Sequence, residues 1–234
     1  MKRLKVLGMA LVAVFAVGAV AVTSASAAKP EWSITTKIKT QEYTKTATLE
    51  TKGASSVTCT KFTVEGEATT PKGGKTTITF KECESAGAKC NSTGQAAGVI
   101  KVETTGELVY LKRPAEGTLV GVRAIAKEAE NKYVEFKCGL VAVKVRQNKA
   151  NGGLVCPIRI TGQEGYNKLS KKYTLTCNKK EVGVNEFTEY FEGETATKVT
   201  SFLESNVGGI GFKQSSEVTG AVEFEFEKEE EIKA

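Results

Sequence analysis

The chain contains no histidine, and all 27 of its acidic residues are glutamate, so it has no aspartate either. These two absences remove His–Asp-oriented serine and cysteine triads, histidine-containing zinc sites, the two-histidine iron site and aspartate-rich calcium loops. Most hydrolytic and metal-assisted chemistry therefore lacks its parts, and no cofactor or metal is expected. There is no Cys-x-x-Cys, and the six cysteines are irregularly spaced, which speaks against a thiolate metal site. No stretch beyond the first residues carries a convincing helical stripe, and no fixed-period repeat recurs. The formal charge of +6 is mild, and no concentrated basic face of the kind that binds nucleic acid is visible.

What is present begins with a leader. Met1–Lys5 is basic, and Val6–Val22 is almost continuously apolar. Ala25 and Ala27 then stand in the A-x-A spacing that the shallow pockets of a signal peptidase accept. Residues 1–27 read as a cleaved signal peptide, with the cut after Ala27 or Ala28. Cleavage would carry off Lys2, Arg3 and Lys5, half of the net positive charge. No cysteine follows the cut, and the Glu-rich C-terminus offers no hydrophobic tail. The expected location is outside the cell or at the cell envelope, with no membrane contact once the leader is gone.

Residues 28–55 are rich in Thr and Lys and read as edge strands or a loose arm. Residues 56–234 read as one β domain. Val134, Phe136 and Cys138 alternate with Glu135 and Lys137, Val141, Val143 and Val145 with Ala142 and Lys144, and Val222, Phe224 and Phe226 with Glu223 and Glu225. Period two places one set inward and the other in water. Further strands are expected over Lys75–Lys81, Ala97–Leu111, Leu119–Ala126, Val199–Leu203 and Ile210–Ser216, with one short helical turn within Ala124–Asn131. Pro71-Lys72-Gly73-Gly74, Asn151-Gly152-Gly153 and Gly208-Gly209 mark turns. The fold class is all-β, an antiparallel sandwich or closed barrel with long hairpins; alternation alone does not separate the two.

Six cysteines in an exported chain should pair. Cys156, Ile158 and Ile160 share one strand face, as do Tyr173, Leu175 and Cys177. Antiparallel pairing of 156 with 177 buries all three pairs on one side, so a Cys156–Cys177 bridge is expected across a hairpin. Pro157 on the opposite face has no N–H, which suggests a sheet edge or bulge. Cys83 and Cys90 flank a short loop, and Cys59 and Cys138 both point inward, so the remaining bridges are read as Cys83–Cys90 and Cys59–Cys138.

Several motifs imitate function. Gly73-Gly74-Lys75-Thr76 resembles the end of a P-loop, but Thr69 stands where its first glycine belongs. Asn91-Ser92-Thr93 fits the glycosylation sequon. Thr44, Thr46 and Thr48 read as a solvated strand face. Glu186, Glu189, Glu192 and Glu194, interleaved with Phe187, Tyr190 and Phe191, form the one acid-plus-aromatic cluster. Two carboxylates across a cleft would suit a glycoside hydrolase.

Gly98-Val99-Ile100, Gly106-Glu107-Leu108-Val109-Tyr110 and Tyr133-Val134-Glu135-Phe136-Lys137-Cys138-Gly139 resemble motifs of an uncharacterised family of small secreted all-β proteins from high-GC Gram-positive bacteria. Asn167-Lys168-Leu169-Ser170, Phe191-Glu192-Gly193, the Glu-rich segment ending near Ile232 and the leader Met1-Lys2-Arg3-Leu4 are also similar. The resemblance implies secretion and a β fold; it carries no activity or site, and Cys156 and Cys177 depart from the family pattern. The expected role is non-enzymatic binding or structure, with a cell-envelope glycan or another extracellular protein as partner. The alternatives are a carbohydrate-active enzyme using paired glutamates, or an inhibitor of extracellular enzymes presenting Glu84–Lys89.

Overall fold

The computed structural model describes residues 28–163, 165 and 167–234, so the leader lies outside the described residues. Strand β1 (Glu31–Trp32) comes first. The chain then lays down strands that alternate between two closed barrels. Strand β2 (Lys37–Tyr43) belongs to the first, and β3 (Ala47–Thr51) and β4 (Val57–Cys59) to the second. β5 (Lys61–Thr70) and β6 (Gly73–Lys81) return to the first, and β7 (Glu84–Ser85) and β8 (Ala88–Ser92) to the second. β9 (Ile100–Lys112) and β10 (Leu119–Ala126) join the first, and β11 (Lys132–Cys138) and β12 (Val141–Gln147) the second. β13 (Leu154–Ile160) and β14 (Ser170–Cys177) extend the first. An excursion follows through β15 (Lys179–Glu181), β16 (Val184–Asn185), β17 (Glu189–Phe191) and β18 (Lys198–Thr200). Then β19 (Leu203–Val207) and β20 (Phe212–Val218) complete the second barrel, and β21 (Gly220–Glu230) completes the first. β22 (Ile232–Lys233) pairs back with β1.

Around each barrel the strands follow chain order. The first runs β2-β5-β6-β9-β10-β13-β14-β21 and closes on β2; the second runs β3-β4-β7-β8-β11-β12-β19-β20 and closes on β3. Both are antiparallel up-and-down meanders, and full closure leaves neither with a free edge. The hairpins of each are inserted between strands of the other, so the molecule is two storeys of eight staves. Only Thr60 separates β4 from β5, and only Thr219 separates β20 from β21. Gly220, at φ 63°, supplies the backbone conformation that hands β20 over to β21.

The first, longer barrel packs an aromatic interior. Trp32 lies edge-on to Tyr173 and Phe226, with ring centroids 5.5 and 5.2 Å away. Tyr110, Phe224, Ile158 and Ile232 complete this cluster, and the β1–β22 ribbon contributes Trp32 and Ile232 to it. The shorter barrel encloses Val57, Val134, Phe136, Val143, Val145 and Leu203. The two interiors meet, because Phe80, Ile100, Val102 and Ala124 of the longer barrel pack into the same cluster. The outer faces carry ion pairs such as Lys39–Glu225, Lys101–Glu103 and Lys127–Glu103. Charge sits where a transmembrane barrel has its apolar band. Among the described residues no helix is long and apolar enough to cross a membrane.

Three disulfides are formed. Cys156–Cys177, with Cα atoms 5.0 Å apart, spans β13 and β14 in a register that sets 158 opposite 175 and 160 opposite 173. That is the register the apolar phase requires. The other four cysteines pair differently from the sequence reading: Cys59 bonds Cys83, and Cys90 bonds Cys138. They form one row across four adjacent strand positions. Thr58 pairs with Glu84, the Cys90 N–H donates to the Cys83 carbonyl at 2.9 Å, and Cys90 is opposite Cys138. A Cys83–Cys90 bond would strand Cys59 and Cys138 at the two ends of the row. Bonding outer to inner neighbours leaves none over.

Other expectations change as well. Residues 28–55, expected to be edge strands or a loose arm, contain β2 and β3, each paired on both sides. β13 is not an edge strand, since it pairs with β10 over 154–157 and with β14 over 158–160. Pro157 is tolerated because it sits where one ladder ends and the other begins. The helical turn is a single 3-10 turn at Ala129–Asn131.

Candidate functional site

Where the two interiors meet, side chains stop short of filling the space. Val64, Ile78, Val102, Val122 and Leu175 point in from the longer barrel, and Leu49, Val57, Val134 and Val145 from the shorter. Phe62, Phe80 and Phe136 line it as well, and so do Trp32, Phe224 and Phe226 of the aromatic cluster. A cavity of about 260 Å³ remains. That is more than an apolar void on the order of 150 Å³, which holds benzene, and somewhat less than the roughly 300–1,000 Å³ of pockets for drug-sized ligands.

One polar group stands out in this lining. Glu217 lies on β20 opposite Leu49 of β3. Asn185 clamps the same residue's backbone: its Nδ2 donates to the Glu217 carbonyl at 2.7 Å, and its Oδ1 accepts from the Glu217 N–H at 3.3 Å. Both backbone groups are thus held in the wall while the side chain lines the cavity. Oε1 is buried and has no hydrogen-bond partner. Burial pushes the carboxyl pKa up to about 8, against a smaller lowering by a hydrogen bond with Thr219. No ion pair among the described residues involves Glu217. The other ionisable lining residues are Glu67, Glu107 and Tyr133, whose phenol burial holds in the neutral form; among the described residues no lysine or arginine lines the cavity. Glu107 accepts from Arg123 Nη2 at 2.6 Å.

Sequence reasoning missed Glu217. On β20 the apolar Phe212 and Val218 share the face opposite Glu217, so alternation reads the carboxyl as outward-facing.

The earlier candidates fall elsewhere. Gly73 and Gly74 open β6 against β9, where a Cβ on Gly73 would lie 2.0 Å from the Gly106 carbonyl oxygen. This is close backbone packing in a hairpin, with no helix behind it. Asn91 is half-buried on β8, its amide donating to the Gln95 carbonyl at 3.3 Å. Thr44 and Thr46 lie in the break between β2 and β3, and only Thr48 reaches the cavity. Glu84–Lys89 is a tight hairpin turning at Ala86 and Gly87, both at positive φ, rather than an extended loop.

The acid-plus-aromatic cluster is dispersed. Tyr190 is buried beneath the β17–β18 flap, with its hydroxyl donating to the Asn151 carbonyl at 2.7 Å and accepting from Arg123 Nη1 at 2.6 Å. Glu192 faces Lys29 at 3.7 Å. Glu186 and Glu189 border a shallow hollow with Glu116, Arg113 and Lys198. There Glu189 pairs with Lys198 at 3.2 Å, and Arg113 at 2.6 Å holds the Glu116 carboxyl below its ordinary range. Among the described residues no group of three or more potential ligands is placed to hold a metal ion.

Comparison with protein-family models, with curated proteins and with solved structures returns no match.

Proposed function

We propose that the protein is exported and binds a small, largely apolar molecule in the cavity between its two barrels, without transforming it. The observation that carries this reading is an apolar cavity of about 260 Å³ at the meeting of two closed barrels. Protein interiors are close-packed as a rule, and the neighbouring aromatic cluster is built that way, so unfilled space here has a use. Export is supported by the leader at residues 1–27 and by three disulfides, which persist in oxidising compartments. A binding role fits better than catalysis at the Glu116–Glu189 hollow. An acid for glycoside hydrolysis must keep its proton; Glu116 and Glu189 are ion-paired, and Glu186 accepts from Asn178 Nδ2 at 3.4 Å.

The test uses protein recovered from the culture medium. Its N-terminus should be Ala28 or Lys29, and 1-decanol should bind by calorimetry. Val122→Trp, or the milder Val102→Phe, should fill the cavity and abolish binding while near-ultraviolet circular dichroism stays native. Intact Met1 in the membrane fraction would overturn export. Decanol affinity unchanged in both folded variants would overturn the cavity as the site.

A further inference from the structure

An apolar cavity by itself selects only for size. This one carries an uncompensated group in its wall, and the charge of its lining is one-sided. Oε1 of Glu217 is buried without a partner, and leaving a buried acceptor unsatisfied is costly. The main chain behind it is fixed by the two Asn185 hydrogen bonds, and the side chain lines the cavity. The carboxyls of the lining are Glu67, Glu107 and Glu217, its one other ionisable group among the described residues is the neutral Tyr133 phenol, and no cation accompanies them. A fatty-acid carboxylate would find no cation there and would face Glu217. A molecule bringing its own cation would satisfy the bare oxygen and meet no like charge.

We propose that the cavity takes a cationic amphiphile, an apolar chain or ring bearing one primary amine, with the ammonium held by Glu217. This rests on the cavity being the binding site, and it names the class of ligand. The proton balance is explicit. The carboxyl is protonated near neutrality in the empty protein, and the amine arrives as an ammonium. Forming the carboxylate–ammonium pair therefore releases one proton to solvent. Thr219 remains as the second hydrogen-bond partner of the carboxylate. The other ionisable lining groups are Glu67, Glu107, already paired with Arg123, and Tyr133, a neutral phenol that donates to the Ala124 carbonyl.

The experiment compares decylamine, 1-decanol and decanoate on the full mature protein and on Glu217→Gln, by calorimetry at pH 7 in buffers of differing ionisation enthalpy. Glutamine keeps the shape and removes the charge. Decylamine should bind wild type about tenfold or more tighter than decanol, release close to one proton, and lose about tenfold or more in the variant. Decanol should be little changed by the substitution, and decanoate should be rejected. Decanoate binding as tightly as decylamine would overturn the proposal, as would decylamine indifferent to Glu217→Gln. If decanol binds and the amine gains nothing over it, the cavity stands as the site and Glu217 is not its anchor. If none of the three binds, both readings fall together.

Discussion

The longer barrel closes with strands of 7 to 13 residues, and the shorter with strands of 2 to 7. The longer holds one disulfide and a cluster of Trp32, Tyr110, Tyr173, Phe224 and Phe226. The shorter holds two disulfides, and three buried hydroxyls replace part of its apolar filling. The same meander, built twice from one chain, is therefore closed in two ways. Long ladders and large rings bury enough area to close one storey. Short ladders cannot, and covalent bonds tie β4 to the lead of β7 and β8 to β11. The cavity lies at the boundary, and its lining runs from Trp32, Phe224 and Phe226 of the aromatic cluster to Cys59 of the covalent row.

The disulfides offer the largest test of that difference. Cys90 and Cys138 are 48 residues apart, and Cys156 and Cys177 are 21 apart. Chain entropy alone makes the first bridge worth about 4 kcal/mol and the second about 3. The two figures are close, so location is the sharper readout. In Cys90→Ala/Cys138→Ala, hydrogen exchange should accelerate first in β8, β11 and β12 while β9, β10 and β14 stay protected. In Cys156→Ala/Cys177→Ala the aromatic storey should keep most of its protection. Uniform loss of protection in both barrels would show one cooperative unit and break the comparison.

Much of this was legible as phase and little of it as adjacency. Period two correctly turned Val134, Phe136, Val143, Val222, Phe224 and Phe226 inward, and it fixed the β13–β14 register because both strands belong to one hairpin. Cys59 and Cys138 were also rightly read as inward-facing. Which inward cysteines touch depends on which strands are neighbours around a closed barrel, and that is set by pairings between residues far apart in sequence. Interleaving two barrels leaves no local mark: the breaks at Thr60 and Thr219 are single residues within otherwise continuous strand patterns. The turns at Gly152-Gly153 and Gly208-Gly209 were plain. The site was not, because an inward glutamate on a strand looks, residue by residue, like any polar strand position.

Glu217 gives the second test. Its pKa is about 8 in the folded protein against an ordinary value of 4.5. Between those values the folded state holds a proton that the unfolded state has lost. Folding stability therefore falls as pH rises from about 4.5 to about 8, and is flat in this group outside that window. The loss should be on the order of a few kcal/mol. Glu230, buried at the rim of the longer barrel, is shifted in the same direction, though Ser33 and Ile34 donate to its Oε2. Wild type will thus show both effects, and Glu217→Gln should remove its own share. Unfolding temperatures by calorimetry at pH 5 and pH 8 measure this. A wild-type drop no larger than that of the variant would mean that water reaches the Glu217 carboxyl in the cavity.

The smallest expected effect concerns the hydroxyl cluster of the shorter barrel. Ser205 Oγ lies 2.5 Å from Thr51 Oγ1 and 2.6 Å from Ser215 Oγ, and all three residues are buried. Their strands are neighbours in the order β19-β20-β3, so the three oxygens lie side by side across the wall. Ser215 stands on the middle strand, but Ser205 is the residue that hydrogen-bonds both others. Ser205→Ala leaves Thr51 and Ser215 without it, and the penalty comes from desolvated oxygens rather than from lost contact area. The cost should be about 1–2 kcal/mol. Ser215 still reaches the Lys213 carbonyl at 3.2 Å, so most of the cost should fall on Thr51. Adding Thr51→Val, which removes the stranded hydroxyl and keeps the shape, should recover part of the loss. Midpoints of chemical denaturation at constant slope measure both steps. If the double variant is less stable than the single one, the hydroxyls act as a cooperative network on which the shorter barrel depends. If it recovers, that storey tolerates the apolar filling its partner already has, and its bridges alone account for its closure.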